Sequence, residues 1–68
     1  MDDKEKLYRI KYKEKWLEPY RVCGRYGYSL HDKAEDVEPM RKSKALAAIG
    51  LISEDNEINE EDLILVEA

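Results

Sequence analysis

Over residues 8–13 the chain alternates without a break, with Tyr8, Ile10 and Tyr12 on one parity and Arg9, Lys11 and Lys13 on the other. A period of two with β-branched and aromatic side chains on the inner positions predicts a half-exposed antiparallel strand. Glu14-Lys15 is the expected hairpin tip, and extended character resumes over 16–23. There Trp16, Tyr20 and Val22 share one parity and are expected inside. Pro19 has no N–H to give a ladder, so it is expected at an edge or a bulge. Gly24 and Gly27 interrupt the pattern, after which Tyr26, Tyr28 and Leu30 alternate again as a short third strand.

Residues 31–38 are polar and read as a connection with room for a helical turn near Ala34, and Pro39 marks a boundary. Ser-Lys-Ala-Leu-Ala-Ala-Ile-Gly over 43–50 predicts a helix. Ser43 is a good N-cap, Ala and Leu favour the helical backbone, and Gly50 stands where a left-handed cap belongs. A start at Pro39 or Met40 fits equally. Leu46 and Ile49 are placed on the side facing the sheet. Residues 53–62 read as a solvated acidic loop with Ile58 as its apolar anchor. Leu63-Ile64-Leu65-Val66 then predicts a strand partly covered on both faces and more central than the hairpin.

The order β-β-(β)-α-β describes one small α+β domain over residues 1–68. Its antiparallel sheet has three to four strands, one helix (about 40–50) packs on one face, and residues 1–6 form a charged start expected to be flexible. The expected core is Leu7 or Tyr8, Ile10, Tyr12, Trp16, Tyr20, Val22, Leu30, Leu46, Ile49, Ile52, Leu63 and Leu65.

Composition narrows the function. Sixty-eight residues, 41% of them charged, supply one thin core and little volume in which to desolvate a catalytic pair of carboxylates. Cys23 is the one cysteine, which excludes an intramolecular disulfide. The opening Met1-Asp2-Asp3-Lys4-Glu5-Lys6 is charged where a signal peptide is apolar, and no apolar run approaches the roughly 20 residues that span a bilayer. A cytoplasmic protein with no membrane partner is expected. The net charge of −4 hides a polarity: residues 1–26 carry eight bases and five acids, whereas residues 54–68 carry seven acids and no base.

Candidate chemistry is sparse. Cys23 and His31 form the one Cys–His pair, with no glycine-rich elbow beside them, and read as a small hydrophobe and a solvated side chain. One Cys and one His cannot make a structural zinc site. Asp55, Glu57 and Asn59 alternate as calcium-loop ligands do, but Glu60 occupies the position of the sharp-turn glycine. No catalytic residue, metal or cofactor is therefore expected.

Two surfaces are left. Glu54, Asp55, Glu57, Glu60, Glu61 and Asp62 are the candidate residues for binding a protein partner, provided that the carboxylates are held in place. Arg9, Lys11, Lys13, Arg21 and Arg25, interleaved with Tyr26 and Tyr28, are the candidates for the alternative, a nucleic-acid-binding module. The alternation of the first strand speaks against that alternative, because it separates rings from cations, whereas a stacking platform wants both on one face. Homodimerisation is a further expectation, since a thin core gains stability by burying a face against a copy of itself.

A basic, aromatic hairpin, a helix built on Pro39-Met40-Arg41-Lys42-Ser43-Lys44-Ala45-Leu46-Ala47-Ala48-Ile49, an acidic loop and a terminal apolar strand together resemble the small accessory proteins of bacteriophages and prophages. The resemblance implies a non-enzymatic role in a bacterial host cell, executed by binding, often to a host protein as an adaptor or inhibitor. It transfers no site residue.

Overall fold

The computed structural model describes residues 6–68, so most of the charged start expected to be flexible lies outside the described residues. Strands β1 (Leu7–Tyr12), β2 (Lys15–Val22) and β3 (Arg25–His31) form an antiparallel meander. A 3₁₀ turn at Ala34–Asp36 leads to a two-residue strand β4 (Met40–Arg41), which runs directly into helix α1 (Lys42–Asn56). A second 3₁₀ turn, Glu60–Asp62, delivers β5 (Leu63–Glu67). The described residues thus form an α+β domain with a five-stranded antiparallel sheet and one α-helix.

The central strand is β1, not β5. It pairs with β5 over Tyr8–Tyr12 and with β2 over Ile10–Tyr12, and β4 takes Leu7 and Tyr8. Among the described residues strand β5 pairs with β1 alone, and Ile64 on it is 53% exposed, so the expectation of a central strand covered on both faces is corrected. Four consecutive apolar residues cannot by themselves distinguish a strand enclosed on both sides from an edge strand. Pro19 falls where β2 has left β1: the β1–β2 ladder ends at Ile10↔Leu17, and beyond it β2 pairs with β3 only.

Two-residue turns set which side chains face inward. With Lys13-Glu14 at the tip, one position before the expected tip, Tyr12 pairs with Lys15 and Ile10 with Leu17. Even positions on β1 therefore share a face with odd positions on β2. Since Ile10 is inside, Leu17 is inside too, and both are fully buried. Trp16, Tyr20 and Val22 point to the opposite face, the last two 45% and 56% exposed, which corrects their expected place in the core. The second tip is Cys23-Gly24, with φ of 53° and 78°, the left-handed pair of a type I′ turn.

The core is a cluster of Ile10, Leu17, Ala45, Ala48, Ile49, Ile52 and Leu63, with Tyr12, Tyr26, Tyr28, Met40, Ile58 and Leu65 packed at its margin. Helix α1 contributes the stripe Ala45, Ala48, Ile49 and Ile52, a helical i, i+3, i+4, i+7 spacing whose alanines let the helix lie close to the sheet. Leu46 is on the other side of the helix, and Leu30 is exposed at the outer strand, so both leave the expected core. Val37 is buried outside this cluster, and its carbonyl accepts a 2.7 Å hydrogen bond from Arg9 Nε. Because Arg9 points away from the helix, the 32–39 connection crosses the far face of the sheet and covers part of it.

Candidate protein-docking surface

The helix runs six residues past Gly50, so the first four residues of the expected loop, 53–56, are its last turn. Ile52 explains the extension: it completes the buried stripe and is fully enclosed, a gain that outweighs the roughly 1 kcal/mol by which glycine disfavours a helix interior. Ser43 likewise lies inside the first turn, and Arg41 occupies the N-cap without a side-chain capping bond. The left-handed cap is Glu57 (φ 55°), whose N–H bonds the Ser53 carbonyl.

With the helix this long, its outward face becomes a defined surface. Leu46, Ala47, Gly50 and Leu51 follow one another at i, i+1, i+4 and i+5, opposite the buried stripe. Leu46 is 51% exposed and Leu51 40%. Together with Glu54 and Glu60 they line a shallow groove. Gly50 forms part of its floor: a Cβ there would meet nothing nearer than Glu60 Oε2 at 3.9 Å.

The charges on this helix oppose its own dipole. Lys42 and Lys44 lie in the first turn, where the backbone presents unsatisfied N–H groups, and no acid accompanies them. Glu54 and Asp55 lie in the last turn, with no base. Each such placement disfavours a helix by roughly 0.3–1 kcal/mol near its ends. Stability of the helix alone does not account for the arrangement.

The candidate acidic residues are fixed on ordered backbone. Glu54 and Asp55 are helical, Glu57 is the cap, and Glu60, Glu61 and Asp62 form the 3₁₀ turn, closed by Asn59 Oδ1 accepting from Glu61 N at 3.2 Å. Ile58 ties the segment to the core. Asp55 has an internal role: its Oδ2 accepts from Tyr26 N at 2.8 Å while Asn56 Nδ2 donates to Tyr26 O at 3.1 Å. These two side chains satisfy backbone groups on the free edge of β3, which blunts that edge against strand addition. The remaining acids are exposed.

The basic and aromatic candidates are divided between two faces. Tyr26 and Tyr28 pack at the margin of the core with Arg21 on their side of the sheet, whereas Arg9, Lys11 and Arg25 point the other way. Lys13 is in the turn, its Nζ 5.4 Å from the Tyr12 ring centre. Pattern reasoning missed Trp16 as a surface group. It stands between Lys11, whose Nζ is 5.2 Å from its ring centre, and its cross-strand partner His31. His31 Nε2 lies 3.0 Å from Glu18 Oε1. The rings and cations of β1 itself therefore separate across the sheet, as the alternation predicts, although cations from elsewhere reach its rings, Lys13 at Tyr12 and Lys42 at Tyr8, and its own Lys11 reaches Trp16.

Cys23 stands in the turn before β3 and His31 at the far end of that strand, which is about 20 Å long at the usual rise, so they do not form a pair. Cys23 is exposed and not a packed hydrophobe, and His31 is part-buried against Glu18 and not a freely solvated side chain. Among the described residues no three His, Cys, Asp or Glu side chains gather as a metal ion requires, and no helix is long and apolar enough to cross a membrane. No family model, curated protein or solved structure matches the chain.

Proposed function

We propose that this protein is a non-catalytic protein–protein interaction module that docks through the outward face of α1 and the acidic segment at its end. One observation carries the reading: two half-exposed leucines flank a glycine-floored groove on the one helix among the described residues, and that helix carries charges set against its own dipole. Apolar side chains in such a groove, ringed by charge, are the composition of a binding patch rather than of a solvated helix face. Two occupants suit it: a host protein, as the resemblance to phage accessory proteins implies, and a second copy of the chain. A photo-cross-linking residue at Ala47 tests the reading in the producing cell. A discrete adduct, of either kind, is expected; no adduct above that given by the same residue at exposed Glu35 would overturn it.

A second reading, nucleic-acid binding, is favoured by the place of Trp16 beside Lys11 on the sheet's open face. Against it, Arg9 is engaged by the Val37 carbonyl, and the tyrosines of β3 face the helix. Trp16 is the single tryptophan, so its fluorescence reports directly. Stacked bases would quench it in a salt-dependent manner; no quenching by single-stranded DNA or RNA at low salt removes this reading.

A further inference from the structure

The outward face of α1 is complementary to itself, and we propose that two copies of the chain pair through it with their helices antiparallel. The inference rests on the docking reading above and names the occupant.

Shape supplies the first argument. Gly50 has neither a positive φ nor a neighbour that would exclude a methyl group, so the isolated chain gains nothing from a glycine there. What a glycine at this position provides is a hollow for something approaching from outside. At 100° per residue, antiparallel pairing about a two-fold axis between Ala47 and Gly50 sets Leu51 against the partner's Ala47 and Leu46 over the partner's Gly50. Each large side chain meets a small one, and symmetry makes every contact twice.

Charge supplies the second, independent argument. The same pairing brings Lys44 beside the partner's Glu54, and it turns the helix end that carries Lys42, whose Nζ lies 6.0 Å from the Tyr8 ring centre of its own chain, toward the partner's Glu57. The positive helix end with its lysines then lies along the negative end with its glutamates, so side chains and dipoles attract together. Parallel pairing would stack like on like. The arrangement that disfavours the helix in isolation becomes favourable at both ends of the pair, and a second copy of the chain carries the complementary pattern in itself.

Sedimentation equilibrium from roughly 10 µM to roughly 1 mM tests this. The unmodified chain is expected to reach twice its monomer mass. Leu51→Glu should weaken pairing about tenfold or more. The charge variants are the sharper test. Lys42→Glu with Lys44→Glu makes both helix ends acidic, and Glu54→Lys with Glu57→Lys makes both basic. Each variant alone should be monomeric while an equimolar mixture pairs. Both variants fit the helix dipole better than the natural sequence does, so thermal melts should show folding retained. A chain monomeric throughout the range, or pairing indifferent to both charge variants, overturns the inference. A monomeric chain that still yields a discrete adduct to a different protein from Ala47 leaves the docking reading standing and refutes the second copy. A monomer with no adduct refutes both.

Discussion

The ring of Tyr20 occupies the space that a side chain at Gly27 would need: a Cβ there would stand 2.9 Å from Tyr20 Cε1 and 3.0 Å from Cζ. The two residues are cross-strand partners on the face away from the helix, so the ring covers the bare backbone of β3. Because this ring is 45% exposed it can swing aside, and the sign of a substitution at Gly27 depends on whether it is present. Gly27→Ala should be neutral or destabilising in the natural chain. In a Tyr20→Ala background the same change should stabilise by about 0.5–1 kcal/mol, the ordinary advantage of alanine over glycine in a strand. Urea melts of the four chains of this double-mutant cycle measure the coupling.

The register predicts opposite consequences for neighbouring residues. Leu17 is fully buried in the cluster under α1, so Leu17→Ala should cost about 2–5 kcal/mol, a large part of the stability of a domain this small. Trp16→Ala removes a half-buried ring and its cation–π contact with Lys11, and should cost about 1 kcal/mol. Denaturant midpoints of the two variants check this; a larger loss at Trp16 would mean that the hairpin pairs in another register.

Gly50→Ala should stabilise the single chain by about 1 kcal/mol, since the position is helical and a methyl group has room. A dilute thermal melt should therefore show a midpoint several degrees higher. Gly50→Leu, which fills the hollow, should likewise raise the dilute melt, because leucine favours a helix nearly as well as alanine, but should abolish association at high concentration.

Asp32 accepts a hydrogen bond from Lys15, whose nearby positive charge adds to it, and its carboxyl is held below the ordinary value of 3.8. A depressed folded value means that the contribution to stability is present above the unfolded value and is lost as pH falls through the folded one. Both groups are exposed, so the effect is small and screened by salt. In an NMR titration the Asp32 midpoint should lie below 3.8, and Lys15→Met should return it toward that value.

Strands β1, β2, β3 and β5 and the existence of the helix are legible in the period of the sequence, because alternation at Tyr8, Ile10 and Tyr12 and the alanine-rich run at 45–48 both leave periodic traces, whereas the two residues of β4 are too few to leave one and read as the start of the helix. Facing is less legible. Trp16 has more apolar area than Leu17, but turn length decides which of the two is buried, and a tip of Lys13-Glu14 carries no glycine or asparagine to announce itself. The docking groove was hidden for a related reason. Gly50 reads as a helix end, and only when the helix continues to Asn56 do Leu46 and Leu51 fall together on its outer side. The acidic segment was visible as charge; that Asp55 bonds the edge of β3 depends on tertiary placement, which no local pattern encodes.

The claim that α1 docks against α1 is tested most directly by an isotope-filtered nuclear Overhauser experiment on a mixture of labelled and unlabelled chains near 1 mM. Transfer between copies from the Leu51 methyl groups to the Ala47 methyl group is predicted. Transfer confined to sheet-face residues such as Trp16 and Ile64, or none between copies, would contradict the account.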